Sequence, residues 1–159
     1  MKKLLGILVL GLLWCNVSVA AETIYLACGG MITANRSDNQ YIKLLKVGED
    51  MIAYYFEIDR GTSLITAHED WLVGEPEKIG TAKIKKIERG FLIEFKKRDD
   101  SGKMIYRFRL TRDATTTAYD LNGTHYLKAS NTLDIDFSGD CMPLKKAEYK
   151  IYITKGIQQ

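Results

Sequence analysis

Phe91-Leu92-Ile93-Glu94-Phe95 and Met104-Ile105-Tyr106-Arg107-Phe108-Arg109-Leu110, joined by a basic turn, decide the fold of this chain. Phe91, Ile93 and Phe95 alternate with Leu92, Glu94 and Lys96. Met104, Tyr106, Phe108 and Leu110 alternate with Lys103, Arg107 and Arg109. A period of two with one apolar set is the pattern of a strand with one buried face, so the pair reads as a β-hairpin. The connection contains Asp99-Asp100-Ser101-Gly102, and a loop of either two or four residues keeps both apolar sets on the same side of the sheet. The wider unit runs from Ile79 to Leu110.

Working outward, short strand patterns recur between turn signals. Ile24 to Cys28 is the first, ended by Gly29-Gly30, and Asn35 to Asn39 is a polar loop. Ile42 to Val47 and Ile52 to Ile58 flank Gly48 to Met51 as a second hairpin. Arg60-Gly61-Thr62 turns into Ser63 to Ala67. His68 to Glu77 is irregular and acidic, which predicts a long loop or one helical turn. Lys78 to Ile87 resumes the strand, and the change of parity between Ile84 and Ile87 predicts a bulge near Lys85-Lys86. Asn122-Gly123, between Thr115 to Leu121 and Thr124 to Leu127, is the strongest short hairpin signal and would set Tyr119 opposite Tyr126. Ser130-Asn131 leads into Leu133 to Phe137, and Tyr149 to Ile153 is the last strand. The expected class is all-β, an antiparallel meander of about eight to ten short strands, an up-and-down barrel in preference to a sandwich.

Met1-Lys2-Lys3 precedes an apolar run from Leu4 to Trp14, too short for the ~20 residues of a membrane span, and small residues follow at Ser18, Ala20 and Ala21. Residues 1–20 read as a signal peptide, with cleavage after Ala20 favoured over Ala21, and residues 21–159 as a single β-domain. The competing readings are a retained anchor and lipid attachment at Cys15, and the bulky Trp14 stands where a lipoprotein signal needs a small residue. The leader resembles those of Gram-negative bacteria, so the expected location is periplasmic or secreted, with no stable membrane span after its removal. Lys2 and Lys3 leave with it, and the net charge of +3 over 159 residues becomes +1, from 21 basic and 20 acidic side chains. Charge therefore singles out no partner, and no nucleic acid is expected.

Of three cysteines, Cys28 and Cys141 remain after the leader. Cys28 shares parity with Ile24 and Leu26, and Cys141 with Leu133, Ile135 and Phe137, so both thiols point inward. An exported chain with an even pair predicts one disulfide, Cys28 to Cys141, stabilising by about 4 to 5 kcal/mol on the chain-entropy argument. No Cys-x-x-Cys spacing supports a redox role.

Catalytic patterns are absent: no Gly-x-Ser-x-Gly, no phosphate loop and no dinucleotide glycine motif occur. His68 and His125 are the only histidines. His68-Glu69-Asp70-Trp71 lacks the second histidine of a zinc-protease helix and reads as a solvated loop, while His125 reads as a strand residue beside a turn. Asp134, Asp136 and Asp140 line the face opposite Leu133, Ile135 and Phe137, but without the glycine and terminal glutamate of a calcium loop. They read as a solvated face paired with basic neighbours, so neither metal nor cofactor is expected. Asn35-Arg36-Ser37 and Asn122-Gly123-Thr124 match the glycosylation pattern, which matters only outside bacteria. The basic run Lys96, Lys97, Arg98, Lys103, Arg107 and Arg109, flanked by Lys83, Lys85, Lys86 and Arg112, is the candidate for an anionic or protein partner. The blander reading is a charged outer face that keeps strand edges apart.

Cys28-Gly29-Gly30 after the first strand, Arg107-Phe108-Arg109-Leu110-Thr111-Arg112 in the middle and Gly139-Asp140-Cys141 near the end resemble small exported proteobacterial β-rich proteins of unknown function. Ser101-Gly102-Lys103-Met104-Ile105-Tyr106 and the early Cys-x-Gly are also similar to the periplasmic inhibitors of C-type lysozyme, small β-barrels with a Ser-Gly-x-x-Tyr signature, but with one residue too many. The expected function is a non-enzymatic, binding or envelope-associated barrel. The alternatives are an inhibitor of an envelope-degrading enzyme such as lysozyme, presenting the Lys97 to Lys103 turn, and a carrier of a small apolar ligand.

Overall fold

In the computed structural model, described over residues 22–38, 40, 42–71, 75–99, 102–128 and 133–155, eight antiparallel strands close into a barrel in chain order. They are β1 (Thr23–Asn35), β2 (Met51–Asp59), β3 (Leu64–Asp70), β4 (Glu77–Ile87), β5 (Gly90–Asp99), β6 (Gly102–Arg112), β7 (Tyr119–Lys128) and β8 (Leu133–Leu144), followed by helix α1 (Lys146–Lys155). Closure pairs β8 with β1, which leaves no strand edge in the sheet. The leader, Cys15, the Asp100-Ser101 tip and the Ser130-Asn131 turn lie outside the described residues.

The β5–β6 hairpin forms as the alternation requires, with Phe91 opposite Leu110, Ile93 opposite Phe108 and Phe95 opposite Tyr106. Cys28 faces Cys141 across the β1–β8 seam, and the two are disulfide-bonded over a separation of 113 residues. The bond therefore ties the first strand to the last where the barrel closes.

Two glycine signals read as turns lie inside strands. β1 runs through Gly29-Gly30 to Asn35, and Asn122-Gly123 sits in the middle of β7. The ring of Phe137 explains both. A Cβ on Gly123 would lie 2.4 Å from Phe137 Cζ, and one on Gly30 would lie 2.9 Å from Phe137 Cδ2. Gly123 pairs directly with Phe137, so these glycines seat an aromatic ring between flanking strands rather than turning the chain. The real turn precedes Tyr119: Asp113 Oδ1 accepts bonds from the backbone N–H of Thr115 and Thr116 at 2.6 and 3.0 Å, so Thr115 to Thr117 belong to a loop.

Three further expectations are corrected. β3 continues through His68-Glu69-Asp70, because Glu69 keeps the inward phase of Ile65 and Ala67 and finds partners inside the barrel. The irregularity of β4 falls at Ile79–Gly80, where Ala67 opposes Gly80 and His68 opposes Lys78; Gly80 has φ 153°, a region that favours glycine. Lys85 and Lys86 pair regularly with Leu92 and Phe91. Ile42 to Val47 forms no strand. A short 3-10 turn (Ile42–Leu44) is held there by Asn35 Nδ2, which donates to the carbonyls of Ile42 and Leu45.

Tyr149 to Ile153 is helical rather than a final strand. Helical spacing puts Tyr149 and Tyr152 on one face, where Tyr149 packs 5.0 Å from Tyr25 and Tyr152 stacks 5.8 Å from Tyr55, all on the outside of β1 and β2. Ile151, which a strand would have placed on the same face as Tyr149, is 57% exposed. Among the described residues no helix is long and apolar enough to cross a membrane.

The barrel interior is filled by side chains. Tyr54, Phe56, Phe108 and Phe137 form its centre, with Tyr54 4.7 Å from Phe137 and 5.0 Å from Phe108, and Phe56 5.1 Å from Phe108. Leu26, Ile32, Ile58 and Ile65 are fully buried around them.

Candidate functional site

Antiparallel registry turns separate outward-facing residues into rows that run across strands. One row is Lys85, Leu92, Arg109, Asn122 and Ser138, contributed by β4 to β8 in turn. At about 4.8 Å per strand it spans about 19 Å. The neighbouring row is Glu94, Arg107, Thr124 and Asp136. Together with Lys83 and Thr33 these residues line an open trough of about 810 Å³ on the outer face of the barrel.

The trough has two electrostatic halves. On one side Glu94 accepts from Lys96 at 2.6 Å and from Arg107 at 2.8 Å, and these bonds, Lys96 first, hold its carboxyl below the ordinary value. On the other, Arg36 bridges Asp134 and Asp136 at 2.8 and 2.9 Å, and Thr124 donates to Asp136 at 3.0 Å. Beside these pairs, Lys83 and Lys85 on β4 and Arg109 on β6 have no carboxylate within ion-pairing distance among the described residues. These three cations are therefore available to an incoming anion.

The six cations singled out from sequence do not act as one cluster. Lys96 and Arg107 are bound to Glu94, and Arg109 lies in the trough. Arg98 stands opposite Lys103 where β5 and β6 approach their tip. Lys97 has the inward phase of Phe95 and helps to hold down the carboxyl of Glu69 at the barrel rim. Lys83 and Lys85, noted in the sequence only as flanking charge, turn out to be nearer the unpaired Arg109 than most of the run. Their signal was the outward parity shared with Leu92 and Arg109 once the bulge at Gly80 is placed. Asp134 and Asp136 are neutralised by Arg36, and among the described residues no group of three or more metal-ligating side chains converges.

A second polar group lies inside the barrel. Glu69 Oε1 accepts from the Tyr106 hydroxyl at 2.7 Å and Oε2 accepts from Trp71 Nε1 at 2.8 Å. His125 stacks on Tyr106 with ring centroids 4.0 Å apart, 5.3 Å from Trp71. Its Nδ1 is 3.7 Å from Glu69 Oε2, too far for a hydrogen bond. Burial raises the Glu69 carboxyl despite both bonds, and burial lowers His125 to about 3, so the imidazole is neutral at neutral pH. The pair has the residue types of an acid and a base, and both are buried, Glu69 7% and His125 1% exposed. His68, on the opposite face of β3, lies near the Tyr149 hydroxyl at 3.4 Å and belongs to the seat of α1. Sequence reading missed Glu69 and Tyr106 as partners. The parity of residues 65, 67 and 69 was the available clue.

Comparison with known protein families, with curated proteins and with solved structures finds no match for this chain.

Proposed function

We propose that the mature chain is an exported, non-enzymatic β-barrel that binds an acidic polysaccharide of the cell envelope in the trough across β4 to β8. The observation that carries this reading is the set Lys83, Lys85 and Arg109, unpaired among the described residues, beside a lining of Asn122, Thr124, Thr33 and Ser138. Cations match uronate or phosphate charges, and amide and hydroxyl side chains match sugar hydroxyls. Among the described residues lining the trough, Leu92 is the only exposed large apolar side chain, which favours a sugar over insertion into a bilayer. A barrel filled by aromatic rings favours recognition on its surface over carriage of an apolar ligand. Export is supported by the leader composition and by the long-range disulfide.

The test measures binding of residues 21–159 to polygalacturonate, with neutral dextran and anionic lipid vesicles as comparators. Reversing Lys83, Lys85 and Arg109 to Glu removes three surface pairings of about 0.5–1 kcal/mol each, so affinity should fall by about tenfold or more. Equal binding to dextran, or an unchanged affinity of the triple variant, overturns the reading.

A second reading places the β5–β6 tip against an envelope-degrading enzyme such as lysozyme, and the like-charged pair Arg98 and Lys103 beside that tip favours it. Tyr106, the aromatic of the signature-like run, is committed to Glu69 inside the barrel and would not reach such a partner. Absence of lysozyme inhibition at micromolar protein removes this alternative.

A further inference from the structure

The end of the barrel away from Glu69 is built differently. There the β2–β3 turn, the end of β4, the β4–β5 turn and the end of β6 surround a cleft of about 540 Å³ lined by Arg60, Lys86, Arg89 and Arg112. Phe91 and Tyr119, with rings 6.1 Å apart and nearly parallel, lie at its base. None of the four cations has an ion pair among the described residues. Lys86 keeps the inward phase of Ile84, opposite Phe91, which brings its chain to the barrel rim rather than to the outer face.

The backbone fixes this arrangement. Arg112 N–H donates to the Arg89 carbonyl at 2.6 Å, which holds two guanidinium-bearing positions side by side. Gly90 permits that closeness, since a Cβ there would fall 1.8 Å from the Leu110 carbonyl oxygen. Like charges held this close together repel. Among the described residues two carboxylates share the cleft, Glu88 and Asp113, and Asp113 already accepts from the backbone and hydroxyl of Thr115 and from the Thr116 N–H. Four cations against two carboxylates leave a surplus of two positive charges. A phosphomonoester carries about −1.5 to −2 at pH 7 and three strong acceptor oxygens, and the planar fork of arginine binds such oxygens in pairs.

We propose that the cleft between Arg60, Lys86, Arg89 and Arg112 is a phosphate-binding site that takes a phosphomonoester, either on a small phosphorylated sugar or on a lipid headgroup. It is separate from the trough and does not depend on the polysaccharide reading. Phe91 and Tyr119 provide an apolar base against which a sugar ring or the glycerol of a headgroup can lie.

The experiment titrates residues 21–159 with glucose 6-phosphate and with glucose by calorimetry, and in parallel sediments the protein with phosphatidylcholine vesicles with and without phosphatidic acid. Saturable binding of the phosphorylated sugar but not of glucose assigns the site to a soluble ligand. Binding confined to phosphatidic acid vesicles assigns it to a headgroup, and either result supports the proposal. Arg89→Ala with Arg112→Ala, which leaves their backbone bond in place, should weaken binding by about tenfold or more for two charge-assisted contacts. Lys83→Glu with Arg109→Glu in the trough should leave it within about twofold. Failure to bind either phosphate probe, or equal losses in the two double variants, overturns the proposal. Thermal melts of both double variants verify that they fold.

Discussion

The barrel interior contains two layers that solve the same packing problem with different chemistry. At the centre, Phe137 sits between Gly30 and Gly123, stacks on Tyr54 and packs tilted against Phe108, so volume is matched by giving a ring the space of missing side chains. Toward the end where β3 and β7 finish, Glu69, Tyr106, Trp71 and His125 replace that apolar fit by hydrogen bonds and ring stacking. The first layer gains stability from area removed from water and from close contact. The second must recover the cost of burying a carboxyl through the two bonds it accepts. The two layers should therefore fail differently when atoms are removed.

Phe137→Ala is expected to have the largest effect. A buried Phe→Ala change costs about 3–5 kcal/mol, and here the flanking glycines offer no side chain to collapse into the hole, so the upper part of that range applies. Urea unfolding of the mature chain measures it. A loss near 1 kcal/mol would mean that the glycine seat closes readily and that the central layer is less specific than its geometry indicates.

The same contrast explains what was legible in the sequence. Apolar alternation identified the inward sets of β5 and β6 and the inward phase of Cys28 and Cys141, because a buried apolar face leaves a period of two in the chain. It failed at Gly123 and Gly30, since a glycine that makes room for a ring on another strand is locally identical to one that turns the chain. It failed again at Glu69, where an inward carboxylate breaks the apolar period and made a strand look like an acidic loop. The helical Tyr149 and Tyr152 were hidden for a related reason: Tyr149, Ile151 and Ile153 imitate strand alternation, and only the outer surface of β1 and β2 selects the helical face. Of the trough, Arg107 and Arg109 were visible as outward residues of a hairpin. Lys83 and Lys85 joined them only when the bulge at Gly80 fixed the phase of β4.

Tyr106→Phe probes the polar layer at an intermediate magnitude. The ring and its stacking on His125 and Phe108 are retained, and the donor to Glu69 Oε1 is removed. A hydrogen bond to a charged group contributes about 1.5–3 kcal/mol, and that is the expected loss at pH 7.5 in urea unfolding. Because the Tyr106 bond holds the Glu69 carboxyl down, its removal should also raise the Glu69 value further. The loss should therefore shrink as the pH is lowered through the Glu69 titration. A loss that is independent of pH would show that Glu69 is already protonated in the fold.

His125→Phe gives the smallest effect and the sharpest separation of the layers, through its dependence on pH. Burial lowers His125 from 6.5 to about 3. The groups facing it are Glu69 on β3, Tyr106 on β6 and Trp71 beyond β3, with Lys97 and Glu77 acting on Glu69 from β5 and β4. Above pH 6.5 the imidazole is neutral in both states and contributes no slope. Below 6.5 the unfolded chain takes up the proton and the folded one does not, so stability falls as pH falls, by about 1.4 kcal/mol at about pH 5.5. Glu69 has the opposite sign: its raised value lets the fold take a proton before the unfolded chain does, which adds stability as pH decreases toward 4.5. Phenylalanine keeps a ring between Tyr106 and Trp71 and removes only the histidine contribution. His68, which burial also lowers, and Glu69 contribute to both proteins, so the expected result in urea unfolding is a difference: between pH 7.5 and 5.5 the wild type loses about 1.4 kcal/mol more stability than His125→Phe does. Parallel pH dependences in the two proteins would mean that His125 is protonated inside the barrel, paired with Glu69, and that the polar layer is held together by charge.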